Sequence, residues 1–239
     1  MWREVVEIYL KTRKEHENHW PKYLSRPFAA VLVYAWKDAR ITPNQISILA
    51  FVVSLAGAGV MVGWREWAGL VVSVAIYQLA YILDCVDGML ARVRGGGSAV
   101  GHLFDFLLDE LKAVILLAAV TARLTLQGGG QLYALVGLGF VVALAVGLSL
   151  TTFSRRPEVA GPPKEPSDQP AARPSLLRRA VGLAEKVAQT ILIYPCYIVY
   201  LAFADHIEVY FWVYGATITL YTVRTFLMLA VRLGRPARA

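Results

Sequence analysis

The chain has 239 residues, of which 57% are hydrophobic and only 17% are charged, and its mean hydropathy is +0.51. Soluble domains are about 45–50% apolar, so this composition predicts that the lipid bilayer is the main solvent of the chain. A transmembrane helix takes roughly 20 apolar residues, so the length allows about six spans and excludes a separate soluble domain. The net charge of +7 lies beside apolar segments instead of along a polar recognition stripe, which argues against a nucleic-acid partner.

Residues 1–41 form a juxtamembrane segment ahead of the first long apolar stretch. Apolar residues recur at helical spacing between Trp2 and Leu10, opposite charged residues. We expect an amphipathic helix that lies in the membrane interface, with packing against the rest of the protein as the alternative. Residues 27–36 are apolar but too few to span a bilayer, so this stretch is expected to be interfacial or re-entrant.

Residues 42–233 are predicted to form a single domain of six transmembrane helices. These helices are expected at residues 42–64, 67–92, 100–126, 131–153, 176–204 and 207–233. The first begins at a Thr-Pro-Asn sequence at Thr42, because threonine caps helices and proline suits the first helical position. Residues 154–175 are rich in proline and charge and should form a flexible loop, and residues 234–239 form a basic tail. The predicted fold class is an all-α integral membrane protein.

The distribution of basic residues predicts the orientation of the chain. Most of the 24 Lys and Arg residues fall on one side of the membrane if there are six spans. They lie in residues 1–41, in the turn after the second span, in the loop at 154–175 with its flanks, and in the C-terminal tail. Because short loops rich in Lys and Arg stay in the cytoplasm, we expect a multi-pass protein with both termini cytoplasmic.

Four aspartates lie in the second and third predicted spans: Asp84, Asp87, Asp105 and Asp109. Carboxylates inside a membrane are costly, so they normally face a cavity, a partner or an ion. At 3.6 residues per turn, the first two share one helix face and the last two share a face of the next helix. Because like charges repel, such a cluster needs cations, and oxygen-only ligands favour hard ions such as Mg²⁺, Mn²⁺ or Ca²⁺. We expect a two-metal site at the cytoplasmic edge of the bilayer.

Small residues accompany the aspartates on the same two helices. Gly88, Ala91 and Gly101 would leave room for a ligand against the backbone, and Arg92 could neutralise an anionic phosphate. Taken singly, the small residues also fit close helix packing. Beside four aspartates, a ligand pocket is the favoured interpretation.

The complete pattern, D-x2-D-G-x2-A-R-x8-G-x3-D-x3-D over residues 84–109, resembles the signature of the CDP-alcohol phosphotransferases at every fixed position. The resemblance implies transfer of a substituted phosphate from a CDP-linked alcohol to an acceptor hydroxyl, with release of CMP. It implies that Asp84, Asp87 and Asp105 ligate Mg²⁺ or Mn²⁺, and that Asp109, also beside the metal, is the general base. The implied CDP pocket comprises Gly88, Ala91, Arg92 and Gly101, with Thr42 and Asn44 at its nucleotide end. Homodimers are usual in that family.

The acceptor is where members of that family differ. Basic residues near the cytoplasmic ends of the spans are candidates for holding a phosphorylated acceptor, namely Lys186, Arg224, Arg155, Arg156 and Lys112. The expected acceptor is a phosphorylated polyol such as glycerol phosphate or inositol phosphate. Many members that use such acceptors carry a basic residue directly after the last aspartate, whereas Glu110 follows Asp109 here. Lys112 is a candidate substitute, and a lipid alcohol acceptor is the alternative.

A cation or proton-coupled transporter is an alternative of another class, because intramembrane aspartates also bind transported ions. The aspartates lie at one membrane edge, beside Arg92 and Arg94, instead of at the midplane, and the sequence shows no inverted repeat. Both points favour the enzyme.

Overall fold

The computed structural model describes residues 1–13, 20–160, 182, 187, 191 and 197–234, and these residues are helical with no strand. The helices are α1 Trp2–Thr12, α2 Arg26–Trp36, α3 Pro43–Gly63, α4 Trp67–Val93, α5 Ala99–Leu124, α6 Gly130–Ser154, α7 Pro157–Ala160, α8 Ile198–Phe203 and α9 Ile207–Leu233. Two π-helical turns, Pro21–Ser25 and Thr125–Gly129, precede α2 and α6. The predicted all-α class is confirmed.

Four helices in the described part of the chain are long and apolar enough to cross a membrane, namely Pro43–Gly63, Trp67–Val93, Ala99–Ser154 and Ile207–Leu233. The third has 56 residues and would be about 84 Å long if straight, nearly three times the hydrocarbon thickness of a bilayer. It turns back on itself instead, because Gly128 and Gly130 have positive φ angles of 105° and 62°, and its halves α5 and α6 pack together. The expected span at 176–204 lies mostly outside the described residues, so the count of six stays a prediction.

The start of α3 confirms the sequence expectation for a capped helix at Thr42. The Thr42 hydroxyl accepts a hydrogen bond from the Gln45 amide at 3.3 Å, and the Gln45 side chain accepts one from the Thr42 amide at 2.8 Å. Pro43 occupies the first helical position, where its missing N–H costs nothing. This reciprocal cap fixes where α3 begins, at the end of the bundle that carries the aspartates.

The turn between α4 and α5 uses glycine for its backbone shape. Gly95 and Gly96 have φ angles of 102° and 110°, a region in which a side chain would be strained. Helix α5 then starts at Ser98, whose hydroxyl accepts a hydrogen bond from the Gly101 amide at 2.9 Å. The tight turn brings the aspartates of α4 and α5 to the same end of the bundle.

Two apolar clusters hold the helices together. The first joins α1, α2, α3 and α4 beside the aspartates and includes Val5, Ala30, Ile46 and Met89. The second joins α3, α4, α5, α6, α8 and α9 at the other end and includes Tyr77, Leu117, Leu144 and Phe211. The end of the bundle that carries the aspartates therefore has its own apolar core, separate from the core at the opposite end.

The N-terminal segment packs against the protein. In α1, Val5 and Ile8 are buried whereas Trp2 is 68% exposed, and the buried Arg26 donates to the Thr12 carbonyl at 2.9 Å. One face of α1 therefore packs against the rest of the protein. The placement of α1 in the membrane interface stays a prediction. The stretch expected to be interfacial or re-entrant is α2, which has 11 residues and is too short to span.

At the opposite end of the bundle, Arg123 closes the junction between α3 and α4. Its guanidinium is fully buried and donates to four backbone carbonyls at 2.8–3.0 Å, those of Met61, Trp64, Arg65 and Glu66. These carbonyls include the last acceptors of α3, which have no partner within the helix. One side chain of α5 thus satisfies the end of α3 and the loop that follows it.

Candidate active site

The structure brings three of the four motif aspartates together. Asp84 projects from α4, and Asp105 and Asp109 project from α5, with one carboxylate oxygen of each lying within 4.8 Å of the others. The side chain of Asp84 is 16% exposed and that of Asp109 is 45% exposed. Asp109 is therefore the more accessible of these two carboxylates from outside the cluster.

Asp87, the fourth motif aspartate, lies beside this group and not within it. Its carboxylate is buried and accepts a hydrogen bond from the Ser47 hydroxyl of α3 at 2.5 Å. Ser47 is also buried, so this contact fixes one oxygen of Asp87 against α3. Sequence reasoning missed Ser47, although it lies one turn after Asn44 on the same helix face, which is the signal that could have identified it.

Lys112 supplies a positive charge inside the aspartate group. Its side chain is 1% exposed, and its ammonium contacts both Asp84 and Asp109, the latter at 2.6 Å. It follows Asp109 by three residues, so both side chains lie on the same face of α5. The sequence placed Lys112 among the candidates for acceptor binding, and the structure places it between two aspartates.

A pocket of about 240 Å³ opens beside the aspartates, between the starts of α3 and α5 and the end of α4. Five of the residues expected to form the CDP pocket line it: Thr42, Asn44, Gly88, Ala91 and Gly101. Asp87 and Asp105 also line it, so the pocket and the carboxylate group share a wall. Arg92 lies next to it, with its guanidinium nitrogens 3.6 and 3.7 Å from where a Cβ on Gly88 would be.

The small residues of the pocket allow the helices to approach closely. A Cβ on Gly101 would lie 3.3 Å from the Asn44 amide oxygen, and a Cβ on Gly97 would lie 3.2 Å from the His102 ring. His102 also lines the pocket. The expectation that a ligand occupies the space between α4 and α5 stays a prediction.

Arg94 holds the segment that leads into the pocket. Its guanidinium donates to four carbonyls at 2.6–3.2 Å, those of Trp36, Lys37, Ala39 and Ile41. This ties the end of α2 and the following loop to the end of α4, directly before the Thr42 cap. The sequence assigned Arg94 only to membrane topology, since nothing in its spacing shows which carbonyls it meets.

The candidate acceptor residues of the later helices lie outside the aspartate cluster and its pocket. Arg155 and Arg156 lie at the end of α6, where Arg155 sits 4.8 Å from the centre of the Phe106 ring. Arg224 lies on an exposed position of α9, and Lys186 falls outside the described residues.

A larger groove of about 820 Å³ lies between α5 and α6 and includes Arg156 and Glu110. Most of its lining is aliphatic, and none of the four motif aspartates contributes to it. The smaller pocket is therefore the candidate active site, because it joins motif aspartates to the small residues of the motif and the larger groove does not.

The donor set of the cluster suits a hard divalent cation. Asp84, Asp105 and Asp109 offer only carboxylate oxygens, which are the ligands that Mg²⁺ and Mn²⁺ prefer, and they are close enough to share an ion. Lys112 offsets part of their charge from within. Apolar helices long enough to span a membrane, with such a carboxylate cluster at one end, are typical of membrane proteins that bind a cation or another charged ligand.

Comparison with models of protein families identifies the family. A model of the CDP-alcohol phosphatidyltransferase family matches residues 40–203, which is more than half of the chain. The chain belongs to this family. This is the family whose signature residues 84–109 resemble.

Curated relatives match shorter parts of the chain. It is 35% identical over 100 residues to the bifunctional IPC transferase and DIPP synthase of Rubrobacter xylanophilus, covering 42% of this chain and 21% of that protein. It is 28% identical over 119 residues to the phosphatidylinositol phosphate synthase of Mycolicibacterium smegmatis, covering 49% and 47%. It is 30% identical over 123 residues to the archaetidylinositol phosphate synthase of Pyrococcus horikoshii, covering 51% and 57%. The chain thus spans less than two-thirds of each of these relatives.

The fold has a counterpart among solved structures. A crystal structure of the phosphatidylinositol phosphate synthase of Mycobacterium tuberculosis, with CDP-DAG bound, aligns with a TM-score of 0.55. The alignment covers 90% of this chain and 99% of that one at 16% identity. At this level of identity the likeness establishes a shared fold.

Proposed function

We propose that this protein transfers a substituted phosphate from CDP-diacylglycerol, or a related CDP-alcohol, to a hydroxyl of a phosphorylated polyol, and releases CMP. The carrying observation is that three carboxylates from two helices lie beside a pocket walled by the small residues of the family motif. Inositol phosphate is the favoured acceptor over glycerol phosphate, because two of the relatives are named as a phosphatidylinositol phosphate synthase and an archaetidylinositol phosphate synthase.

The pocket supplies the donor site. Thr42 and Asn44 at the start of α3 would contact the nucleotide end, and Gly88, Ala91 and Gly101 would let the diphosphate approach the backbone. Arg92, beside Gly88, would pair with the diphosphate through its fork of N–H donors. Asp87 is held in place by Ser47 on the wall of this pocket, so it is poised to face the donor.

The carboxylate group supplies the reacting centre. Asp84, Asp87, Asp105 and Asp109 would hold Mg²⁺ or Mn²⁺, as two ions, which offset charge on the diphosphate and on the departing CMP. Asp109 would take the proton from the attacking acceptor hydroxyl, which raises the nucleophilicity of an otherwise weak alcohol. Its greater exposure supports this role, because the acceptor must reach it from outside the cluster.

The acceptor site is proposed from charge. Arg155, Arg156, Arg224 and Lys186 are the basic residues proposed to hold the phosphate of the acceptor, through charge-assisted hydrogen bonds. The proximity of Arg155 to Phe106, one residue after Asp105, supports this, because it places a cation of α6 next to the helix that carries Asp109.

The proposed arrangement in the membrane follows the charge distribution. We propose six spans within a domain of residues 42–233, with a cytoplasmic loop at 154–175, and the active site and both termini in the cytoplasm. The protein would act as a homodimer.

The test is CMP release by the purified full chain in detergent. CDP-diacylglycerol is supplied with inositol phosphate, glycerol phosphate or no acceptor, and Mg²⁺ or Mn²⁺ is added or chelated. We expect CMP only when metal and a phosphorylated polyol are both present, with inositol phosphate the better acceptor.

Other outcomes identify the alternatives. Turnover of CDP-choline or CDP-ethanolamine with diacylglycerol would favour a lipid alcohol acceptor. Cation flux in liposomes without turnover of any CDP-alcohol would favour a transporter and overturn the enzyme.

The proposed division of roles has its own test. Asp109→Asn should stop turnover and leave binding of the CDP-alcohol mostly intact, whereas Asp84→Asn should weaken metal and nucleotide binding together. Equal losses of binding in both variants would contradict the assignment of Asp109 as base.

A further inference from the structure

Lys112 is a buried cation within a membrane-spanning helix. Its side chain is only 1% exposed, and the two groups that its ammonium contacts are the carboxylates of Asp84 and Asp109. An ammonium removed from water is costly unless it is paired, and here two carboxylates from different helices compensate it. Lys112 therefore connects α4 to α5 through charge.

Lys112 contacts one oxygen of each of two carboxylates in the aspartate group. Lys112 meets the Oδ1 atom of Asp84 and the Oδ1 atom of Asp109, which leaves the second oxygen of each carboxylate for other ligands. Asp105 lies within the same 4.8 Å group. Three carboxyl groups and one ammonium thus share a space in which divalent cations would also bind.

This placement argues against direct contact between Lys112 and an acceptor phosphate. To reach a substrate, the ammonium would have to leave both carboxylates and move out of a site in which it is almost fully enclosed. Breaking such a pair would leave the enclosed ammonium uncompensated, which is strongly unfavourable. The acceptor role that the sequence suggested for Lys112 is therefore the weaker interpretation.

We infer that Lys112 is a built-in cation of the metal cluster. It keeps Asp84 and Asp109 together when no divalent ion is bound, and its charge lowers the affinity of the cluster for divalent ions. The inference rests on the proposed function, because that function is what brings divalent ions to these aspartates.

The two consequences have opposite signs. Without Lys112, Asp84 and Asp109 would repel each other with no cation between them, so the metal-free protein would be less stable. A divalent ion would then meet one positive charge fewer and two freed oxygens, so it would bind more tightly. A residue that only shaped the site sterically would not strengthen metal binding when removed.

The experiment compares Lys112→Met with the wild type, using the purified full chain in detergent. Methionine has a similar length and no charge. We expect Lys112→Met to lower the Kd for Mn²⁺ at least about tenfold by calorimetry or electron paramagnetic resonance. Its Tm without metal should fall, and the rise in Tm on adding Mn²⁺ should be larger than in the wild type.

Two further variants control the comparison. Lys112→Arg keeps the charge and should stay close to the wild type in Mn²⁺ affinity. Lys37→Met makes the same substitution at an exposed lysine outside the cluster and should change neither Mn²⁺ affinity nor its effect on Tm.

A double variant protects the test against a failure to fold. If Lys112 offsets the charge of Asp84, then Asp84→Asn should recover part of the metal-free stability that Lys112→Met loses. Failure of Lys112→Met to fold with Mn²⁺ present, and again with Asp84→Asn, would overturn the inference. So would an Mn²⁺ affinity that is unchanged or weaker in Lys112→Met.

The outcome is separable from that of the proposed function. If Mn²⁺ binding follows this pattern and no CMP is released from any CDP-alcohol, the proposed function fails and the role of Lys112 stands. If CMP is released but Lys112→Met does not bind Mn²⁺ more tightly, the proposed function stands and the role of Lys112 fails.

Discussion

At each end of the helix bundle, one arginine donates hydrogen bonds to several backbone carbonyls, but the two arginines differ in exposure. At one end Arg94 donates to four backbone carbonyls, and at the other end Arg123 also donates to four. Arg123 is completely buried, whereas Arg94 is exposed and stands beside glycines, aspartates and a pocket. The Arg123 end is closed, and the Arg94 end is held in shape while staying open to ligands.

The difference shows how stability and function are divided in this fold. An arginine sealed among carbonyls contributes to stability, because its removal leaves buried acceptors without donors. An arginine exposed at a pocket acts on the position of a loop, since water can replace it at the carbonyls. Substitutions at the two ends should therefore affect different measurements.

The largest effect is expected at the aspartate end. Asp109→Asn removes the proposed general base, and general-base catalysis contributes about 10²–10⁴-fold to the rate. The expected result is a loss of CMP release of that order, measured below the Tm of the variant, which should fall because Lys112 loses one of its two carboxylate partners. Initial rates of CMP release under saturating donor and acceptor provide the measurement.

The matched control for this variant lies between α8 and α9. Asp205→Asn makes the same change at an exposed residue outside the aspartate cluster, and asparagine tolerates the positive φ of 56° found there. It should keep full activity. A comparable loss of rate in Asp205→Asn would indicate that the effect of Asp109→Asn is not local.

At the closed end, Arg123→Met should lower stability by roughly 2–4 kcal/mol. Each buried acceptor left without a donor costs about 1–3 kcal/mol, and some of the four carbonyls would gain water. For a chain of this size that corresponds to a fall in Tm of roughly 5–15 °C, measured by tryptophan fluorescence in detergent. Below the lowered Tm, the KM for the donor should not change.

Arg94→Met is the counterpart at the open end, and we expect the reverse pattern. The loop from Trp36 to Ile41 would lose its tie to α4, so Thr42 and Asn44 would be less well positioned at the pocket. The KM for the CDP-alcohol should rise about three- to tenfold, because that change corresponds to the net free energy of about one hydrogen bond. Donor titrations give the KM, and thermal unfolding should show a much smaller change than for Arg123→Met.

These two arginine variants decide whether the comparison holds. If Arg94→Met lowered Tm as much as Arg123→Met and left the donor KM unchanged, both arginines would be structural seals. The open end would then owe its shape to the Thr42 cap and the glycines alone.

Much of this architecture follows from hydropathy and spacing. The expected spans at 67–92 and 207–233 agree with α4 and α9 to within a residue, because long apolar segments in a membrane can only be helices. The 3.6-residue period also predicts that the small residues and aspartates of the motif face one pocket. Local patterns thus determine the helices and the faces that they present.

The contacts between helices do not follow from such patterns. The Ser47–Asp87 hydrogen bond joins residues 40 positions apart, and the contact between Lys112 and Asp84 joins residues 28 apart. Both depend on how α3, α4 and α5 rotate and shift against one another, which is set by packing over their whole length. Spacing within one helix carries no information about that relation.

The smallest effect is expected where a lysine pairs with a carboxylate in water. Lys37 contacts Glu4 at 2.7 Å, and this contact lowers the pKa of Glu4 and raises the pKa of Lys37. The stabilising effect is therefore present at neutral pH. It is lost as pH falls through the lowered pKa of Glu4 and as pH rises through the raised pKa of Lys37.

Because both groups are exposed, solvent and salt screen the pair, and Lys37→Met should leave Tm at pH 7 unchanged within error. The Lys112 side chain is only 1% exposed and pairs with two carboxylates, so the same substitution there should change both Tm and metal affinity. Thermal unfolding of the two variants side by side, at low and at moderate salt, measures this contrast. Lys112 is enclosed, whereas water and salt can reach Lys37. If Lys37→Met lowered Tm as much as Lys112→Met, burial would not explain the difference between the two lysines.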